Sequence, residues 1–334
     1  MAERTRIAWT DATWNPIRAR HRVTGTVGWY CQRISEGCRH CYASTMNSWR
    51  GNGVDYTVPA LAHVELYLDE RILAALLRWR TPRRIFVCSM TDLFGEWVPE
   101  EWIDRIFAVM AQSPQHIFQI LTKRSERMRM YCATATGPHH VCCGSGCPYC
   151  ADSGRWPWAR APYPNVHLGV SIEDQASADA RIPHLFQTPA TVRVVSYEPA
   201  LAPVDFAPYV TTLDGCWMCP QCSYRTNRDG EPCPNDLSML VRDRALNWLI
   251  CGGESGPHAR PCDLAWIRLA IAQCCAAGVP CFVKQVGARP IVHGAEYGRE
   301  VEGTQHPEWK RLRHRAGADP SEWPEDLRVR EWPR

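Results

Sequence analysis

Three cysteines near the N-terminus, Cys31, Cys38 and Cys41, lie in the stretch GWYCQRISEGCRHCYAS and follow a C-x6-C-x2-C spacing. A structural zinc ion takes four protein ligands in a closed tetrahedron, so a zinc site here needs a fourth ligand, for which His40 or His21 is available. A four-iron cluster held by three thiolates instead leaves one iron open to bind a small molecule. The trio therefore predicts either a zinc knuckle or an iron–sulfur cluster with an open iron.

Two later segments, 132–162 and 209–240, are rich in Gly, Pro and Cys and lack helical or strand periodicity. We expect them to be loop insertions that fold around metal, because ligand binding can supply folding free energy directly. They either share one zinc ion, bind one ion each, or hold an auxiliary iron–sulfur cluster. Their candidate ligands are Cys143, Cys147, Cys150, Cys216, Cys219, Cys222 and Cys233, with Cys142, His139 and His140 as further possibilities in the first segment.

The composition is that of an ordinary globular protein, with 45% hydrophobic and 22% charged residues in a chain of 334. The sequence contains no run of eighteen apolar residues, so it predicts no membrane span. The first residues lack the apolar core of a signal peptide. We therefore expect a cytoplasmic protein, whose eighteen cysteines are thiols or metal ligands rather than disulfides. The net charge of +3 permits a nucleic-acid partner without requiring one.

Short apolar runs alternate with helical patterns along most of the chain, which predicts an α/β fold. The runs are too short for helices and are typical of buried parallel strands. We favour a (β/α) barrel, complete or partial, because no early G-x-G-x-x-G supports a dinucleotide-binding sheet. The predicted strands lie within 84–92, 116–124, 165–174, 192–199, 246–256 and 279–287, and the predicted helices within 68–79, 99–112, 173–186 and 263–278.

Polar residues follow nearly every predicted strand. In a barrel, the loops after the strands converge on one face, where active sites form. The alternative is that these Asp and Ser residues only cap the following helices, but six such loops together favour a polar pocket. The residues are Ser89, Asp92, Thr122, Lys123, Ser171, Glu173, Ser196, Glu198, Glu254, Lys284 and Gln285.

Several motifs together resemble one known family. IAWTDATWNP, CQRISEGCRHCYA, FVCSMTDLF, FQILTKRSERM, NVHLGVSIEDQ and GGESGPHARP occur in this order. They resemble the phage-borne three-Cys-motif proteins, a branch of the radical S-adenosylmethionine (SAM) superfamily. The resemblance runs from about residue 7 to residue 287, outside the two insertions. It implies a radical SAM-type barrel over 1–287. The remaining residues, 288–334, are polar with scattered Trp and Pro, and we expect them to form a C-terminal tail packed on the barrel.

The resemblance also implies a cofactor site. Cys31, Cys38 and Cys41 would hold a [4Fe-4S] cluster, and SAM would chelate the open iron. One electron would then cleave SAM to a 5′-deoxyadenosyl radical that abstracts hydrogen from a substrate. Tyr42 beside the third cysteine, and the segment Gly252, Gly253 and Glu254, would contact the cofactor. Two alternatives stay open. One is that GGESG is a tight turn that caps a helix, and the other is that the cluster binds to CGSGCPYC at 143–150, which has the commoner C-x3-C-x2-C spacing of the superfamily.

The phage association implies a nucleic-acid base or nucleotide as substrate, and host-cell cytoplasm as the location. A family partner protein and an electron donor such as flavodoxin or ferredoxin are further implied partners. Cations interleaved with aromatic residues suit phosphates and stacked bases. The alternative to an enzyme is a zinc-bound nucleic-acid-binding protein. The basic and aromatic candidates are Lys123, Arg124, Arg127, Arg129, Arg18, Arg20, His21, Arg22, Trp14, Trp29 and Tyr30.

Overall fold

The computed structural model describes residues 4–134, 163–210, 246–292 and 312–333, together with the backbone of four two-residue strands between these ranges. The candidate metal ligands of the two insertions, from His139 to Cys150 and from Cys216 to Cys233, lie outside the residues whose side chains are described. None of the described helices is long and apolar enough to cross a membrane.

The described residues form sixteen strands and seven α-helices. The strands are β1 Ala12–Trp14, β2 Ile17–His21, β3 Val27–Gly28, β4 Val64–Leu68, β5 Arg84–Val87, β6 Ile117–Thr122, β7 Val166–Ile172, β8 Val192–Tyr197, β9 Trp217–Met218, β10 Arg225–Thr226, β11 Val241–Arg242, β12 Trp248–Gly252, β13 Cys262–Asp263, β14 Cys281–Gln285, β15 Pro290–Val292 and β16 Ala295–Glu296. The helices are α1 Tyr42–Arg50, α2 Glu70–Leu73, α3 Glu100–Ala111, α4 Ser125–Thr134, α5 Gln175–Phe186, α6 Ala207–Val210 and α7 Leu264–Ala277.

The main sheet has seven parallel strands in the order β1-β5-β6-β7-β8-β12-β14. This order follows the chain, so each strand lies beside the one that precedes it in the sheet. A doubly wound sheet would reverse direction at a switch point, whereas a (β/α) barrel adds strands in sequence. The predicted α/β fold is therefore confirmed as a partial barrel, which includes all six predicted strands and adds β1.

The sheet is strongly curled. The ring of Trp9 lies 4.8 Å from that of Phe86 on β5 and 6.3 Å from that of Trp248 on β12. These two strands are four positions apart in the sheet, which would separate them by about 19 Å if it were flat. One tryptophan contacts both because the sheet bends around it. In the described residues no pairing joins β1 to β14, so the barrel is open.

Both faces of the sheet are buried, which explains its continuous apolar runs. The convex face packs against α3, α5 and α7 in the main hydrophobic core. The amino-terminal half of the concave face holds a second, separate cluster. We call this cluster the floor; its members are Trp9, Phe86, Val194, Trp248, Ile250 and Phe282, with Ile7, Leu121, Val192 and Trp332 packed against them.

Local signals set the helix ends. Asp174 caps α5 by accepting a hydrogen bond from the Ser177 backbone N–H in a capping box. Asp263 caps α7, which ends at Gly278 with a φ of 65° that favours glycine. The four predicted helices are confirmed, the first of them as α2 followed by a short 3-10 helix, Ala74–Arg78.

The N-terminal region contains a small sheet that the sequence did not predict. Strands β3, β2 and β4 form an antiparallel sheet in that order, and α1 begins directly after Cys41. These elements occupy the stretch between β1 and β5. A sheet of such short strands gives little periodic signal, which is why the alternation of longer runs did not reveal it.

The insertions begin later than their composition indicated. Residues 132–134 complete α4, and residues 209–210 complete α6. In the second insertion and directly after it, β9 pairs with β10 and β11 in a small antiparallel sheet, where the sequence predicted no strands.

The C-terminal segment runs along the open edge of the main sheet at β14. The Val283 N–H donates to the Val329 carbonyl, and the Glu331 N–H donates to the Cys281 carbonyl. The indole of Trp248 in the floor also donates to the Glu331 carbonyl, at 2.8 Å. Residues 327–332 therefore cover an edge that would otherwise expose unpaired backbone groups.

Candidate active site

The carboxyl ends of the parallel strands carry a set of paired charges. Lys123 follows β6 and lies 3.2 Å from the Glu173 carboxylate, which follows β7. Lys284 on β14 lies 3.1 Å from Glu198, which follows β8. We call these four residues the polar rim. They are partly or fully buried, and they come from four strands, as expected for a pocket at this end of a barrel.

Helix capping accounts for some of the polar residues after the strands, but not for all of them. Asp174 caps α5, as described above. Asp92 instead binds across loops: its carboxylate accepts hydrogen bonds from the Thr122 hydroxyl at 2.7 Å and from the Lys123 N–H at 3.1 Å. Helix capping thus explains only part of the pattern.

The loop that carries the three cysteines lies on the polar rim. The Lys123 ammonium donates to the Ser35 hydroxyl at 2.9 Å, and that hydroxyl is 3.7 Å from the Cys38 sulfur. A Cβ atom at Gly37 would lie only 2.6 Å from the Lys123 nitrogen. The loop therefore packs directly against Lys123, and a side chain at residue 37 would displace the ammonium group.

Arg260 joins the same loop to the GGE segment. Its guanidinium donates to the Glu254 carboxylate at 2.8 Å and to the Glu36 carbonyl at 2.9 Å. A weaker contact of 3.4 Å reaches the Glu36 carboxylate. Glu254 is buried, and the positive charge of Arg260 compensates the negative charge of its carboxylate. The predicted GGE segment and the cysteine loop are therefore neighbours.

Arg124 forms the third connection to the cysteine loop. It is only 7% exposed and lies 3.2 Å from the Asp92 carboxylate and 2.7 Å from that of Glu96. It also donates to the Gln32 carbonyl at 3.5 Å and stacks over Trp97. The arginine thus connects the loops after β5 and β6 to the segment between Cys31 and Cys38.

This geometry corrects one prediction. Arg124 and Arg127 were expected to face phosphates. Arg124 is buried between two carboxylates, and Arg127 donates to the carbonyls of Gly95 and Val98. A polar, charged stretch after a strand looks solvated in the sequence, but here the loop after β5 folds over it.

The three thiols have different electrostatic surroundings. Burial raises the pKa of Cys31, and the Asp92 carboxylate adds to this increase. Burial also raises the pKa of Cys41. Burial acts the same way on Cys38, but the Lys123 ammonium and nearby backbone N–H groups outweigh it and hold its pKa below the ordinary value. Cys38 is therefore the thiol that most readily loses its proton to a metal.

The carboxylates around the loop stay ionised. Burial alone would raise the pKa of Glu173, but Lys123 and Arg181 hold it below the ordinary value. The Arg181 guanidinium lies 2.9 Å from Glu173. Burial likewise opposes ionisation of Glu254, and Arg260 reverses the effect. Lys123, Arg181 and Arg260 thus each face a carboxylate.

The other predicted cofactor residues lie at the same end. The Tyr42 hydroxyl donates to the Ser89 carbonyl after β5. A Cβ at Gly252 would lie 2.8 Å from the Gln285 carbonyl, and one at Gly253 would lie 2.6 Å from the Val286 carbonyl. The close approach of the chain after β14 is by itself sufficient to require both glycines.

The described side chains do not form a preassembled site for a single ion. No three His, Cys, Asp or Glu residues among them surround one possible metal position. His21, one proposed fourth zinc ligand, accepts hydrogen bonds at Nδ1 from the Val23 and Thr24 N–H groups of a turn. The other, His40, has its ring centroid 6.2 Å from that of His258.

Sequence reasoning missed four residues that hold this site together: Ser35, Glu36, Arg181 and Arg260. Arg260 lies inside the motif GGESGPHARP, but nothing in the motif indicates a partner 224 residues away. Arg181 carried a weak signal, since it lies two helical turns beyond Glu173. A helix that starts at Gln175 brings its side chain back to the end of β7.

Fold and site together define a class: an open parallel α/β half-barrel with a cysteine-bearing loop over a polar rim. The chain belongs to the family described as "Protein of unknown function (DUF5131)", whose family model matches residues 4–310. No curated protein matches the chain, and no solved structure does.

Proposed function

We propose that this protein is a radical SAM enzyme that acts on a nucleic-acid base or nucleotide. The observation that carries the proposal is the loop with Cys31, Cys38 and Cys41, tied by Lys123, Arg124 and Arg260 to the carboxyl end of a parallel half-barrel. This is the end at which (β/α) barrels carry out their chemistry.

The donor set fits a [4Fe-4S] cluster. The three cysteines are free and partly exposed, and in a cubane each thiolate binds a different iron, so the sulfurs need not surround one point. That arrangement is compatible with the absence of a single-ion site among the described side chains. When bound, the cluster supplies the electron that splits SAM and so generates a radical able to take hydrogen from a substrate.

The protein's own residues have positioning and electrostatic roles in this proposal. Lys123 stabilises the Cys38 thiolate, and Arg260 fixes both Glu36 and Glu254. Glu254, held ionised, would accept hydrogen bonds from the SAM ammonium. Because each rim cation faces a carboxylate, the rim favours a substrate part that is neutral overall, such as a base, over a phosphate.

Anaerobic reconstitution with iron and sulfide, followed by measurement of 5′-deoxyadenosine, tests the proposal. The wild type and a Cys275→Ala control, which removes an exposed thiol on α7, should both cleave SAM after reduction by dithionite. The Cys31→Ala/Cys38→Ala/Cys41→Ala variant should produce no 5′-deoxyadenosine. Cleavage by this variant would move the cluster to Cys143, Cys147 and Cys150.

The competing function is a zinc-bound nucleic-acid-binding protein. It requires one zinc ion per chain at the N-terminal trio, lost in the triple variant, and no SAM cleavage by the wild type. Zinc or iron that remains in the triple variant would come from the Cys-rich insertions, where we propose a structural zinc or an auxiliary cluster. An electron donor such as flavodoxin or ferredoxin, and a family partner protein, remain part of the proposal.

A further inference from the structure

The outward face of the small N-terminal sheet is unusually rich in arginine. Strand β2 buries Ile17 and Ala19, so the alternating side chains of Arg18 and Arg20 point away from the core. Arg22, just beyond the strand, continues the alternation and is exposed. Three guanidinium groups thus follow one another along one edge of the molecule.

Two of these arginines stack on aromatic rings. The Arg18 guanidinium lies 4.6 Å from the ring centroid of Trp29, and that of Arg20 lies 5.0 Å from the ring of Tyr67 on β4. A stacked guanidinium keeps donors free at its edges. We call Arg18, Arg20, Arg22, Trp29 and Tyr67 the arginine–aromatic face.

Positive charge is concentrated in this part of the chain. Residues 17–68 contain six arginines and only three carboxylates, an excess equal to the net charge of +3 for the whole protein. Glu65 pairs with Arg20 at 3.5 Å, between exposed groups, where such contacts are weak. None of the described carboxylates pairs with Arg22 or Arg50.

The face continues onto α1. Trp29, which lies under the Arg18 guanidinium, packs against a small cluster that includes Ala43 on this helix. Farther along the same helix, Trp49 is 87% exposed, and Arg50 follows it. Cys31 and Cys41 pack against the same cluster as Trp29, so the arginine–aromatic face adjoins the cysteine loop.

We propose that the arginine–aromatic face, with Trp49 and Arg50, binds single-stranded nucleic acid. Arginines interleaved with accessible rings bind phosphates and stack unpaired bases, whereas a duplex offers its bases only in the grooves. The inference rests on the nucleic-acid substrate of the proposed function and assigns it a surface other than Arg124 and Arg127. The binding itself requires neither the cluster nor SAM.

Fluorescence anisotropy with a labelled twelve-nucleotide single-stranded DNA of mixed sequence tests the proposal. Binding by the full-length protein should weaken with salt, with a logarithmic slope of about −0.7 for each phosphate contacted. The Arg20→Glu/Arg22→Glu variant should weaken binding at least about tenfold and reduce that slope. Trp49→Ala, which removes an exposed ring without a folding role, should weaken it about tenfold through lost stacking.

The matched control is Arg78→Glu/Arg80→Glu, which makes the same charge change at the same spacing on another exposed segment. It should change the affinity less than about twofold. The proposal is overturned if this control weakens binding as much as the Arg20/Arg22 variant, or if no binding occurs at low salt. It is also overturned if duplex DNA binds equally well, or if polyglutamate displaces the oligonucleotide as efficiently as unlabelled DNA, which would indicate an acidic protein partner.

SAM cleavage separates this proposal from the proposed function. The Arg20→Glu/Arg22→Glu variant should retain wild-type cleavage in the absence of nucleic acid. If the oligonucleotide binds as expected but the wild type yields no 5′-deoxyadenosine, the surface stands and the radical SAM function fails. If the wild type yields 5′-deoxyadenosine but does not bind the oligonucleotide, the proposed binding surface fails and the radical SAM function stands.

Discussion

The amino and carboxyl ends of the same seven strands present opposite chemistry to the inside of the half-barrel. The amino end is the floor, where buried aromatic rings such as Trp9, Trp248 and Phe282 pack together. The carboxyl end carries the polar rim, where two lysines face carboxylates that follow other strands. The floor gains stability from burial alone, whereas the rim needs matched partners, because an unpaired buried charge is costly.

This contrast separates stability from function. The buried apolar floor can stabilise the sheet without any polar group. The residues of the rim can therefore be selected for binding and catalysis rather than for stability. The floor should therefore dominate the free energy of unfolding, and the rim should dominate the behaviour of the cysteine loop.

The largest effect is expected in the floor. Trp248→Ala removes a fully buried indole that contacts Trp9 and Phe282, and it should reduce the free energy of unfolding by about 3–5 kcal/mol. Ser196→Ala, nearer the rim on the neighbouring strand, should cost less than about 1 kcal/mol. Urea denaturation of both variants measures the difference. Equal losses would contradict the assignment of stability to the floor.

A slightly smaller effect is expected nearer the amino end of β7, at His167. This side chain is buried on the concave face, its Nδ1 has no hydrogen-bond partner in the described residues, and burial lowers its pKa to about 4. In the unfolded chain His167 takes up a proton near pH 6.5, whereas in the folded protein it does so only near pH 4. Stability is therefore complete above pH 6.5 and is lost as the pH falls towards 4, by about 3 kcal/mol.

His167→Asn removes this titration and provides the control. The wild type should lose more stability than the variant between pH 6.5 and pH 4 in parallel denaturation series. Parallel curves for the two proteins would show that His167 is not buried in its neutral form.

The smallest of the three effects is expected beside the rim, where Arg260 joins the cysteine loop to the GGE segment. Arg260→Ala leaves the buried Glu254 carboxylate and the Glu36 carbonyl without this hydrogen-bond donor. It should reduce the free energy of unfolding by about 2 kcal/mol. Arg268→Ala, which breaks the exposed pair with Asp326, should cost less than about 1 kcal/mol. Hydrogen exchange across residues 31–41 should accelerate only in the Arg260 variant. Faster exchange in both would mean that the loop is not anchored by Arg260.

The sequence predicted the strands of the half-barrel because strands buried on both faces are continuous apolar runs. It also indicated a polar pocket, since polar residues follow almost every run. It could not indicate the pairing, because the choice of Glu173 rather than Glu198 for Lys123 depends on the order and register of the strands. Arg124 was misplaced for the same reason: its burial depends on Asp92, which comes from a different loop.

The position of Arg84 has a consequence for synthesis of the protein. Its guanidinium pairs with Asp11 at 3.0 Å on one side and stacks over Trp332 at 4.8 Å on the other. Neighbouring parallel strands can associate in the order in which the ribosome releases them. Trp332, however, joins Trp9 and Phe282 only after residue 332 has been translated. We therefore expect a nascent chain arrested before residue 320 to remain sensitive to protease, and a longer one to become resistant once residue 332 has left the ribosome.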